Sequence, residues 1–249
     1  MGTPRLDPED GPFLETYDPA RYRRPSLAVD VALLTIRDGA LWTLVARRAA
    51  PPWKGAWALP GVFVRIDEGL DVAAARALAT KVGLDDVFTE QLYTFGDPQR
   101  DPRTRVVSVA YYALVEPAAL DRTASGADTR LARVGVPWPG ETGGPVDALD
   151  ADGSGLPLAF DHAGILGMAV KRIRGKLDYA PIGFEMLPEQ FSLRDLRLVH
   201  EAVLGRRLNK DSFRRRVLDR GLVVPTGRRA GGVGHRPPEL YRFADRRTD

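Results

Sequence analysis

The 249-residue chain has no cysteine, which excludes a disulfide framework, thiolate catalysis and the sulfur ligands of the usual structural zinc site. Histidine is nearly as scarce. His162, His200 and His235 stand far apart, a spacing that offers no histidine cluster for a metal, and neither a metal nor a cofactor is expected. No apolar run approaches the roughly 20 residues of a membrane span. The first residues, MGTPRLDPEDGP, are acidic and proline-containing rather than a basic stretch leading into an apolar one, so a cytoplasmic protein is expected. What is present suits a packed interior: 44% of residues are hydrophobic, and the length allows two modest domains.

Charge divides the chain. The net charge is +3, yet residues 163–249 hold 19 Lys and Arg against 10 Asp and Glu, leaving −6 for residues 1–162. A basic C-terminal part fits a polyanionic partner, although a merely solvated basic surface has the same composition. Residues 1–24 lack apolar periodicity and read as an extension, residues 25–160 as a first domain and 161–249 as a second.

In the second domain, Asp161 caps a helical pattern running through Ile165, Met168, Ala169 and Ile173 to Gly175 or Leu177. Ser192 caps a second helix ending at Gly205, and Asn209 caps a third ending at Gly221. Strand 222–225, a basic glycine-rich tip 226–236 and strand 240–243 complete the order of a winged helix-turn-helix. Its last helix presents Asn209, Lys210, Ser212 and Arg214 to bases. Arg206, Arg207, Arg215, Arg216, Arg228, Arg229 and Arg236 are candidates for phosphates. Intrahelical pairing of Arg215 or Arg216 with Asp211 or Asp219, and a protein-binding winged helix, are the competing readings.

In the first domain, alternation predicts strands over 27–36 and 41–47 joined at Asp38-Gly39, then strands over 87–93 and 106–115. Residues 117–155, rich in Gly, Pro, Asp and Ala, are expected to loop out, with one short strand near Trp138. Between the strand pairs, Leu59–Leu84 reads LPGVFVRIDEGLDVAAARALATKVGL, a loop feeding a helix over 71–82 that stops at Gly83.

This stretch resembles the Nudix box, G-x5-E-x7-R-E-U-x-E-E-x-G-U with U aliphatic. Glu68, Arg76, Leu78, Gly83 and Leu84 fall on its E, R, U, G and U, but Val62 holds its first glycine and Ala77, Thr80 and Lys81 hold its helix glutamates. Those three positions have the i, i+3, i+4 relation of one helical face. Mg²⁺ requires anionic oxygen there, which alanine and lysine do not supply, so hydrolysis is expected to be lost and Glu68–Arg76 to serve as a brace.

The phrase QLYTFGDPQRDPR, continued after Thr104 by RVVSVAYYALV, resembles the Nudix-related transcriptional regulators of NAD metabolism, the NrtR family. The likeness runs from about residue 26 to the end, with 117–155 divergent. It implies an α+β protein: a Nudix-like α/β/α sandwich with a mixed sheet, followed by a winged helix-turn-helix domain. It also implies a homodimer on a palindromic double-stranded DNA operator, repression of NAD biosynthesis or salvage genes, and ADP-ribose or a related nucleotide as effector. Candidate ligand residues are Arg47, Phe63, Glu68, Arg76, Lys81, Phe95, Asp97, Arg100, Arg103 and Arg105, the arginines of the 95–105 segment suiting a diphosphate. The same arginines could instead pair with Asp97 and Asp101 to close the loop. An active hydrolase using Asp67 and Glu68, and a sugar-responsive regulator of this architecture, stand as alternatives.

Overall fold

A computed structural model describes Asp7 and residues 10–121, 128–177, 181–230 and 237–244. The helices are α1 (Asp10–Thr16), α2 (Leu70–Val82), α3 (Pro117–Asp121), α4 (His162–Lys176), α5 (Leu193–Leu204) and α6 (Lys210–Asp219). The strands are β1 (Ser26–Arg37), β2 (Ala40–Arg47), β3 (Trp57–Ala58), β4 (Gly61–Phe63), β5 (Glu90–Phe95), β6 (Val106–Leu114), β7 (Thr129–Gly135), β8 (Asp147–Leu149), β9 (Val223–Arg229) and β10 (Glu239–Phe243).

The large sheet runs β5-β6-β1-β2-β7-β8, with β3 against β2 and β4 against β1. Asp38 and Gly39 both take positive φ, 50° and 71°, as a two-residue hairpin turn of matching twist requires. They set β1 and β2 in register from Arg37↔Ala40 to Leu34↔Thr43. On its other edge β1 runs parallel to β6, from Ser26↔Val106 to Leu34↔Leu114, making the sheet mixed.

Alternation along β1 sorts its side chains between two cores. Val29, Val31 and Leu33 meet Ala73, Ala74, Ala77 and Leu78 of α2. Ala32 and Leu34 meet Ile165, Leu166, Ala169 and Ile173 of α4. Each large side chain so buried stabilises the fold by about 1.5–3 kcal/mol. The result is the expected α/β/α sandwich, with Asp30 on the α4 side.

Several sequence expectations are corrected. The 117–155 segment does not simply loop out: it holds α3, β7 and β8, with β7 extending the sheet beside β2. Only Ala132 and Val134 of β7 are fully buried, which leaves a faint alternation. Trp138 lies after β7 rather than in a strand, and its indole N–H donates to the carbonyls of Gly144 and Pro145. Strand β5 starts at Glu90, where that carboxylate accepts from the Tyr112 hydroxyl and pairs with Lys176. The extension contains α1, a helix that buries no residue.

The division expected at 160/161 also moves. Helix α4 was expected as the first helix of the winged helix, but it covers the sheet, and Val199 and Val203 of α5 join the same core. A separate core of Phe191, Leu196, Phe213, Val217, Val223 and Tyr241 unites α5, α6 and the β9–β10 wing. Ser192 and Asp195 form a capping box at the start of α5, and Gly205 ends it with φ 67°. Asn209 accepts from the Asp211 and Ser212 amides to start α6. Caps of this kind contribute about 1 kcal/mol each.

Candidate functional site

A cavity of about 430 Å³ opens where β4, α2, the 97–103 loop and the start of α4 converge. Arg48, Arg76, Lys81 and Arg103 line it. Phe160 sits at its wall with φ 57°, a left-handed conformation that costs a non-glycine residue energy. The Arg48 guanidinium stands 4.6 Å from the Phe160 centroid and that of Arg103 stands 5.6 Å from it, while Trp53 meets its edge at 4.7 Å. Burial and then the nearby Arg103 push the Arg48 pKa down. Two guanidiniums beside one ring give this wall a cationic character that suits an anion.

Arg103 is aimed by Asp101, which accepts from its Nε at 3.0 Å, its Nη2 at 2.7 Å and its backbone N–H at 3.0 Å. Those bonds hold the Asp101 carboxyl below its ordinary range. Deeper in, buried Arg100 donates Nε and Nη2 to Asp161 at 2.8 and 2.6 Å and Nη2 to Asp30 at 3.4 Å. Asp30 also accepts from the Ser108 hydroxyl at 2.6 Å. The Leu59 amide donates to His162 Nδ1 at 2.9 Å, which places the ring proton on Nε2, 3.6 Å from Asp30. Burial keeps the His162 pKa below the ordinary histidine value, so the ring is neutral.

On the helix of the box, Arg76 donates Nε to Glu68 at 3.0 Å and Nη2 to the Phe63 carbonyl at 2.9 Å. The Arg65 amide donates to the same carboxylate. Arg76 chiefly, with that amide, brings the Glu68 pKa down to about 2. Positions 77, 80 and 81 do not share one open face as expected. Ala77 is buried under the sheet, the Thr80 hydroxyl donates back to the Arg76 carbonyl, and only Lys81 borders the cavity. This donor set does not fit a divalent cation.

At the other end of the chain, Lys210, Ser212, Arg214 and Arg215 are exposed on α6. Arg216 lies over Phe213 at 5.7 Å. Arg228 and Arg229 are exposed on β9, and Arg236 lies outside the described residues.

Two family models match the chain: a NUDIX domain over residues 24–134 and the NrtR DNA-binding winged helix domain over 183–243. An ADPR-responsive transcriptional repressor, NtrR, from Acinetobacter baylyi is 34% identical over 93% of this chain and 87% of its own length. The chain belongs to the NrtR family. Shewanella oneidensis NrtR, solved in complex with a 27mer DNA, is 34% identical with a TM-score of 0.70, covering 88% of this chain and 93% of that one. A MutT/nudix family protein from Enterococcus faecalis is 25% identical with a TM-score of 0.74, covering 95% and 93%.

In this NrtR-family chain, five of the ten sequence-predicted ligand residues meet at the cavity: Phe63, Arg76, Lys81, Arg100 and Arg103. The others lie elsewhere for identifiable reasons. Arg47 donates to the Gly55 carbonyl, and Glu68 is engaged by Arg76. Phe95 is partly buried against the core under α4, with the exposed Tyr93 ring edge-on to it. Asp97 accepts from the Gln99 amide, and Arg105 donates to the Asp97 carbonyl, so both hold the loop shut. Arg48, Asp30, Phe160, Asp161 and His162 were missed as site residues. Their only sequence signal was the aromatic-acid-histidine run before α4, which also reads as a helix cap.

Among the DNA candidates, Asn209 spends its side-chain oxygen on the cap of α6, which leaves its side-chain N–H donors as what it offers to a base. Arg206 and Arg207 border a cleft facing β7. Unanticipated Arg194 and Arg197 join Lys210 and Arg214 around a hollow beside α6.

Proposed function

We propose that this protein is a homodimeric, cytoplasmic repressor of NAD biosynthesis or salvage genes that binds a palindromic operator and responds to ADP-ribose or a related nucleotide. The observation that carries this reading is the cation set of the cavity: Arg48, Arg76, Lys81 and Arg103 converge where ligand phosphates could lie. Phe63 and Phe160, the latter braced by Trp53, supply the aromatic lining for a nucleoside. The Acinetobacter relative, similar over nearly the whole chain, is an ADPR-responsive repressor, and the Shewanella structure carries DNA.

Binding in this site proceeds without hydrolysis. Ala77, Thr80 and Lys81 offer no carboxylate, and Glu68, the remaining acid of the box, is committed to Arg76. Ligand in the cavity bears on the start of α4 through Asp161 and His162. The far end of that helix holds α5, where Arg174 Nε donates to the Val203 carbonyl at 2.7 Å. The nucleotide thereby favours a domain arrangement in which the two α6 helices of the dimer no longer match half-sites one turn apart. Incubation of purified protein with ADP-ribose and Mg²⁺ tests the reading: a calorimetric binding signal with intact nucleotide is expected, and release of AMP would restore the hydrolase.

A further inference from the structure

A second cavity, about 1000 Å³ in volume, lies between the sheet and the helix-turn-helix. Arg133 of β7 and Trp138 form one wall, and Arg206 and Arg207 of the turn before α6 form the other. Arg174 lies between them, buried at 6% exposure. Its Nε donates to the Val203 carbonyl, and its Nη1 donates to those of Trp138 at 3.3 Å and Gly140 at 2.7 Å. Its guanidinium carbon stands 4.9 Å from the Trp138 ring centroid. Nη2 lies against Gly205, where an added Cβ would come within 3.3 Å of it.

These bonds satisfy hydrogen-bond donors without neutralising charge. Among the described residues no carboxylate pairs with Arg174, Arg133 or Arg206, and burial pushes the Arg174 pKa down. Of the two acids at the cavity, Glu201 accepts at Oε1 from the Leu208 amide and from Arg197, and its Oε2 lies 3.5 Å from Arg207 with no hydrogen bond of its own. Asp38 pairs with its neighbour Arg37. Buried charges are ordinarily paired, and guanidiniums on facing walls repel one another unless an anion lies between them.

We propose that this cleft is a second ligand site, distinct from the first cavity, that takes the phosphate groups of a small polyphosphate. Arg133 and Arg206 approach it from the two domains, and Arg174 supplies the uncompensated charge of its floor. A bound polyphosphate would tie β7 to the turn that leads into α6. This site is independent of whether the first cavity takes ADP-ribose.

Inorganic pyrophosphate is the probe, titrated calorimetrically into the full-length protein, the Arg133→Ala/Arg206→Ala double variant and the Arg48→Ala/Arg103→Ala double variant. All four substituted residues lie outside the hydrophobic cores, and circular dichroism is the check that each variant folds. The wild type is expected to bind pyrophosphate at two sites; the Arg133/Arg206 variant weakens one of them at least about tenfold, and the Arg48/Arg103 variant keeps that one while losing the other. Absence of binding, or loss confined to the Arg48/Arg103 variant, overturns the proposal. A random-sequence duplex separates the remaining source of phosphate. If the Arg133/Arg206 variant loses duplex affinity while pyrophosphate affinity is unchanged, these arginines serve the DNA backbone and the second site does not exist.

Discussion

Arg100 and Asp161 face each other through two parallel N–H···O bonds of 2.8 and 2.6 Å, joining the loop before β6 to the first turn of α4. The Arg100 side chain is 4% exposed, so its charge depends on that carboxylate and on Asp30. Arg100→Gln is expected to cost about 3 kcal/mol, because it strands the buried carboxylate of Asp30 and unpairs the half-buried Asp161. A double-mutant cycle with Asp161→Asn, read by urea unfolding, should give a coupling of at least about 1 kcal/mol. Additive losses would show that the pair does not hold α4 to the loop.

His162 gives the protein a pH dependence. Its folded pKa is depressed by burial, so the unfolded chain binds more protons around and below the ordinary histidine value of about 6.5. The stability from this residue is therefore fully present above that value and is lost progressively as pH falls through the folded pKa. Protonation would also remove the Nδ1 lone pair that accepts the Leu59 amide. Unfolding midpoints measured between pH 8 and pH 5 should decline below about 6.5 in the wild type and less steeply in His162→Gln. Parallel profiles would place the titration elsewhere.

Phe160 and Asp101 shape the first cavity by different routes. Phe160→Leu removes the ring on which Arg48 and Arg103 lie and should weaken ADP-ribose binding about tenfold. Asp101→Asn leaves Arg103 charged but unaimed, and a smaller loss is expected. Calorimetry on both variants is the check; unchanged affinity in Phe160→Leu would remove the ring from the site.

The exposed cations of α6 should govern DNA affinity and its salt dependence. Each substitution of Lys210 or Arg215 by alanine that removes a phosphate contact should shallow the slope of log affinity against log salt by about 1. Ligand affinity should be unchanged. Anisotropy titrations at several salt concentrations decide this, and an undiminished slope would place α6 away from the backbone.

Elements with strong local marks were legible in the sequence. Gly83, Gly205, Ser192 and Asn209 ended or began helices where their backbone and side-chain chemistry required. The register of β1 against β2 followed from Asp38-Gly39. Strand β7 was not legible, because two buried side chains make a weak period and its pairing with β2 is set by tertiary contact. Helix α4 was read correctly as a helix but given to the wrong neighbour, since its apolar stripe fits either a sheet or a bundle. At the site, the arginine-rich loop was visible, while the partners of Arg100 come from 61 and 70 residues away along the chain. No local spacing records such distant pairings.

The central claim is that one chain couples nucleotide in the first cavity to DNA held by α6. Its most direct test is the affinity of the full-length protein for its own promoter duplex, measured by fluorescence anisotropy with and without saturating ADP-ribose at fixed salt. The account predicts a loss of at least about fivefold, equivalent to about 1 kcal/mol of coupling, abolished in Phe160→Leu at the same nucleotide concentration. Equal DNA affinity with and without nucleotide, under conditions where calorimetry shows the nucleotide bound, would contradict it.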